Sequence, residues 1–149
     1  MLKNPLVKSA GVIAPEFLAL ANTLNTAAII FWTAIGFYVF QFALWAMGIA
    51  GLALGAVPVV SFVVPGKEFY MATWALIAII GISSMAYSAF MFLIRSVPCF
   101  DGWKGLIFIL CAAGYLTVFI NLIPWFAVWV GAVVWIEKIR AADAISSEE

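Results

Sequence analysis

Residues 17–66 read FLALANTLNTAAIIFWTAIGFYVFQFALWAMGIAGLALGAVPVVSFVVPG, fifty positions without an Asp, Glu, Lys or Arg. A soluble domain has no place for a run of this length. One bilayer crossing takes about 20 apolar residues, so the stretch is too long for one crossing and long enough for two. The expectation is an all-α, polytopic integral membrane protein, a bundle of membrane-spanning helices.

Composition points the same way. Of 149 residues, 67% are hydrophobic and 9% charged, and the mean hydropathy is +1.19. Soluble domains carry about 25% charged residues. Seven basic and seven acidic side chains cannot coat a soluble surface, so 1–149 reads as a single membrane domain. The net charge is zero and the charges do not gather into a basic face, which argues against nucleic acid as a partner. The absence of histidine removes the commonest general base and a principal ligand of zinc and haem. With no catalytic, metal or nucleotide motif, the chain reads as non-enzymatic, and no cofactor is expected. Thirteen Phe and seven Trp would offer flat apolar surface to a bound lipid or an apolar pigment. Cys99 and Cys111 read as unpaired, one in a loop and one inside a span. Lys3, Lys8 and the run Ala19-Leu20-Ala21 resemble a signal peptide, but Pro15 and Glu16 interrupt its apolar stretch, so the segment reads as retained.

Breaks in the pattern divide the chain. Residues 1–25 mix charged and apolar positions at helical spacing and read as an interfacial N-terminal segment, or as the exposed first turns of the first span. The apolar block that follows is too long for one crossing at 1.5 Å per residue. It divides into spans 26–47 and 49–64, reversing at the glycines Gly48, Gly51 and Gly55. The competing division has three spans, the first ending at about Gly48, with residues 51–65 forming a re-entrant or interfacial piece. Lys67 and Glu68 mark a surface break, 69–94 is the next span, and Pro98, Gly102 and Trp103 make a short loop. Residues 105–136 read as one tilted span kinked near Pro124, and 137–149 as a polar tail. Four spans put Lys3, Lys8, Lys67, Lys138 and Arg140 on one side and Arg95 and Lys104 on the other. The excess of positive charge then places both termini on the cytoplasmic side of a plasma, inner or organelle membrane.

Few polar groups lie within the spans. Gly51 and Gly55 have the G-x-x-x-G spacing of close helix approach, and Ser84 and Ser88 form a second small-residue pair. Asn121, one turn before Pro124, and Gln41 need hydrogen-bond partners if lipid surrounds them. Together Gly51, Gly55, Ser84, Ser88 and Asn121 are the helix-packing candidates. Glu16 could serve a proton-coupled transporter if drawn into the first span, but reads more simply as a surface carboxylate at a helix start. Arg95, Asp101 and Lys104 read as a solvated charge cluster across one loop.

These features lead to a structural or accessory subunit of a larger membrane complex, acting through helix packing and lipid contact. Its partners would be the lipid bilayer and either other membrane subunits or further copies of itself. A small oligomeric transporter or channel is the alternative, and a lipid-, quinone- or carotenoid-binding module is a third reading.

Overall fold

The computed structural model describes residues 5–57, 65–117 and 120–146, with side chains from Pro15 onward and excepting Ile145. It is all-helical: α1 (Pro5–Gly55), α2 (Gly66–Ile94), α3 (Trp103–Tyr115) and α4 (Trp125–Ser146). There is no strand among the described residues. Two helices are long and apolar enough to cross a membrane, Pro15–Gly55 of α1 and the whole of α2.

α1 and α2 form a long antiparallel hairpin. The register is set at both ends and in the middle. Asn22 Nδ2 donates to the Arg95 carbonyl at 2.8 Å, Gln41 Nε2 donates to the Ile77 carbonyl at 3.0 Å, and Gly51 faces the Phe69 ring. The buried or half-buried positions of this part of α1 include Trp45 and the series Gln41, Leu44, Gly48, Gly51 and Gly55. The series alternates at three- and four-residue steps, the spacing that keeps one stripe of a helix against a partner.

This seam corrects the expected turn. α1 runs unbroken through Gly48, Gly51 and Gly55, so 26–47 and 49–64 are not two spans. Glycine breaks helices in water partly because the exposed backbone can bond to solvent, a competition missing at an apolar seam. Here the missing side chains let the helices meet. A Cβ on Gly66 would lie 2.7 Å from the Gly51 carbonyl oxygen and 2.9 Å from the Gly55 Cα. The reversal falls instead after Gly55, with Pro65 as the residue before α2. Pro58, Ser61 and the rest of 58–64 lie outside the described residues, as do 1–4 and 147–149. The N-terminal segment likewise is no separate interfacial helix from Pro5 onward: α1 begins there and carries Pro15 within it.

The fourth expected span is also corrected. Residues 105–136 are not one kinked helix, because α3 ends at Tyr115 and α4 starts at Trp125. α3 has 13 residues, about 20 Å, too short to cross. The two helices form a second, shorter hairpin. Its base sits beside the α2 terminus, where Phe92 meets Trp129 ring to ring at 5.6 Å. Its tip reaches Gly81, near the middle of α2, where a Cβ would lie 2.2 Å from the Tyr115 ring. The core lies between the hairpins and is built from Ile30 and Ala34 of α1, Met85 and Phe92 of α2, Tyr115 of α3, and Trp129, Val130 and Val133 of α4. Among the described residues α1 packs on α2 and α4 and makes no contact with α3.

Candidate functional site: the second hairpin and its buried ion pair

The base of the α3–α4 hairpin is held by charge. Lys104, in the first turn of α3, is fully buried, and Glu137 of α4 is 6% exposed. The Lys104 ammonium donates to Glu137 Oε1 and to the Pro98 carbonyl. Arg140 Nη1 donates to the same carboxylate oxygen at 3.1 Å, its side chain remaining 47% exposed. A buried ammonium needs several acceptors, since desolvation costs several kcal/mol per ion. One carboxylate and one loop carbonyl supply them, so the 96–102 loop, α3 and α4 meet at a single charged point.

Aromatic packing surrounds this point. Trp129 is fully buried, and its indole Nε1–H donates to the Lys104 carbonyl at 3.1 Å. The Phe108 and Phe100 rings lie 4.9 Å and 5.9 Å from its ring centre. Cys99 is buried in the same cluster, and burial pushes its thiol above the ordinary range.

At the tip, where the chain reverses between α3 and α4, backbone groups find partners within the protein. The Phe126 amide donates to the Tyr115 hydroxyl at 3.2 Å. Trp125 Nε1–H donates to the Ile120 carbonyl at 2.9 Å, and the Asn121 backbone amide donates to the Thr117 carbonyl at 3.1 Å. Asn121 itself is 1% exposed, and neither end of its carboxamide has a hydrogen-bond partner. Beside the tip an apolar groove of about 290 Å³ opens between Phe31, Trp32, Ile35 and Tyr38 of α1 and Pro124, Phe126 and Ala127.

The other candidates from the sequence separate. Gly51 and Gly55 lie together in the α1–α2 seam. Ser84 and Ser88 are buried on α2, and their hydroxyls donate to the Gly81 and Ser84 carbonyls of their own helix, each at 2.7 Å. Glu16 and Asp101 are exposed. Arg95, Asp101 and Lys104 do not act as one solvated cluster, because Lys104 turns inward to Glu137. The sequence reading misses the Lys104–Glu137 pair, because it puts these residues at opposite ends of a single span. The signal lies in the length of 105–136 and in the Asn121–Pro124 interruption near its middle.

Among the described residues no group of three or more His, Cys, Asp or Glu is placed to hold a metal. Comparison of the chain with protein-family models, with curated proteins and with solved structures gives no match.

Proposed function

We propose that this chain is an integral membrane protein that works by packing, as an accessory subunit of a larger membrane assembly. The α1–α2 hairpin crosses the bilayer and the α3–α4 hairpin enters it from one side to about half its depth. A helix in the core of a soluble protein is mostly buried. The apolar window of α1 is 22% buried and that of α2 is 44% buried. Trp32, Val39, Phe40, Ile79 and Phe90 all stand more than half exposed. Leaving so much contiguous apolar surface in water would drive aggregation, so lipid or protein must cover it.

The half-depth hairpin changes the charge count. Arg95, Lys104, Lys138 and Arg140 fall at the end of the bundle where α1 begins, with Lys8 in the first turns of α1 and Lys3 just before it in sequence. Six basic residues then share one side, and Lys67 is alone on the other. This is a sharper asymmetry than four spans would give, and it supports cytoplasmic termini with a cytoplasmic 96–102 loop.

The observation that carries the packing role is where the polar side chains bond. Thr23, Thr26, Thr33, Thr73, Ser83, Ser84 and Ser88 all donate to carbonyls of their own helices. Gln41 bonds across the seam to α2. A transport path needs polar groups facing a shared lumen, and these face backbone. Below the hairpin tip, α1 and α2 bury little beyond their mutual seam, leaving Phe42, Met47, Leu52 and Leu76 exposed. A subunit of an assembly would cover this flank with a partner helix.

The transport alternative draws on one feature, the unpartnered Asn121 carboxamide at an interrupted helix pair, an arrangement that transporters use at mid-membrane. The discriminating experiment places a photoreactive residue at Phe42 or Leu76 in native membranes. A single stoichiometric protein crosslink is the expected outcome. Crosslinks to lipid alone, with flux through the purified chain in vesicles, would overturn the subunit reading.

A further inference from the structure

We infer that α4 carries a binding track for one phospholipid with an anionic headgroup, an inference that rests on the membrane reading above. Lys138 and Trp135 line a groove of about 250 Å³ at the base of the hairpin. Pro124 and Ala127 line the apolar groove at the tip, together with Trp32 of α1. Between them stands Gly131, which is exposed and around which an added Cβ would meet nothing within 4 Å.

These positions form one stripe. At 3.6 residues per turn, Ala127, Gly131, Trp135 and Lys138 of α4 fall within about 80° of the helix circumference, and Pro124 stands just before the helix. Ala127 and Lys138 are eleven residues apart, about 16 Å along the axis. Half the hydrocarbon core of a bilayer is about 15 Å. The stripe therefore has the length of one leaflet, a cation and an exposed indole at its headgroup end, open space in its middle and an apolar groove at its inner end.

The two ends select the ligand. Glu137 faces away from the stripe, bonded to Lys104 and Arg140, and the register of α4 sets Asp143 off it as well. Lys138 has no ion-pair partner among the described residues. An ammonium free to face the headgroup layer beside a 69% exposed Trp135 suits a lipid phosphate. The Gly131 gap and the groove beyond it suit an acyl chain, which excludes free phosphate as the natural occupant.

The test uses the full chain inserted into vesicles of equal phosphatidylglycerol and phosphatidylcholine, extracted gently and weighed by native mass spectrometry. The expected result is one retained phosphatidylglycerol, favoured over phosphatidylcholine. Lys138→Gln should lower that preference by about fivefold, the effect of one interfacial cation. Gly131→Leu should abolish retention, whereas Gly36→Leu, at another open glycine, should retain lipid as the parent does. Equal retention by Gly131→Leu and Gly36→Leu, or no headgroup preference in the parent, would overturn the track. Failure of the chain to enter vesicles at all would instead overturn the membrane reading.

Discussion

Lys104 and Glu137 are 33 residues apart in sequence and form an ion pair with the lysine fully buried. That contact closes the base of the α3–α4 hairpin and brings the start of α3 level with the middle of α4. It also predicts an asymmetry between the partners. Glu137→Leu leaves a fully buried ammonium with only a carbonyl for company and should cost about 3–5 kcal/mol. Lys104→Met leaves Glu137 still bonded to Arg140 and should cost less. The double variant should cost less than the sum of the two, because an apolar pair can replace a buried ion pair nearly without loss. Denaturant unfolding of the detergent-solubilised protein reads all three; equal losses for the two single variants would contradict the assigned partners.

Two sets of helical glycines predict opposite outcomes. At Gly81 and Gly114 an added Cβ would fall 2.2 Å from the Tyr115 ring and 2.4 Å from the Trp125 ring. These rings are wedged at the hairpin tip, so alanine there should cost about 1–3 kcal/mol through overpacking. Gly66→Ala should cost at least as much, since it meets the α1 backbone. At Gly36 and Gly131 nothing stands within 4 Å, and alanine should stabilise the helix by up to about 1 kcal/mol. Thermal unfolding of this set, with tight and open sites changing stability in opposite directions, checks the packing of both hairpins.

What the sequence disclosed follows from these same residues. Helical class and apolar character were legible because they depend on composition summed over long windows. The number of long helices was not. Gly48, Gly51 and Gly55 carry the same signal for a turn as for a close helix approach, and only Gly66 across the seam decides between them. Residues 105–136 looked like one span because no charge interrupts them. The reversal there depends on Tyr115 and Trp125 capping an apolar turn, a tertiary arrangement with no periodicity to betray it. Lys104 and Glu137 bear opposite charges, but pairing them required knowing that the chain doubles back.

The proposed half-depth placement of the α3–α4 hairpin makes a sidedness prediction opposite to that of four spans. A cysteine at exposed Asp101 should react with an impermeant maleimide from the side of the termini, and one at exposed Glu68 from the other side. Labelling of both from one side would refute the two-span arrangement. Native Cys99, 1% exposed, should stay unlabelled near neutral pH, because burial raises its thiol and keeps it protonated. The sign for stability follows from the same shift. The unfolded thiol ionises first as pH rises, so the stabilising contribution of the neutral Cys99 is present below its ordinary value and declines above it. Cys99→Ala should flatten that alkaline decline in an unfolding-versus-pH series.

Asn121 offers the sharpest separation of packing from ligand binding. Its carboxamide is enclosed at the hairpin tip, and neither its oxygen nor its nitrogen is bonded. An unsatisfied buried polar group costs about 1–3 kcal/mol. Replacing it with leucine, close in volume and without polar atoms, should therefore stabilise the isolated protein by about that amount. In the proposed assembly the outcome depends on whether something else completes the carboxamide. If a partner helix or a polar ligand supplies the missing bonds, Asn121→Leu should stabilise the purified chain yet weaken the complex or the binding. If nothing does, the variant should be more stable in both settings. Measuring unfolding of the purified chain beside recovery of the crosslinked assembly distinguishes these outcomes, and a destabilised purified Asn121→Leu would show that the carboxamide already has a partner within the fold.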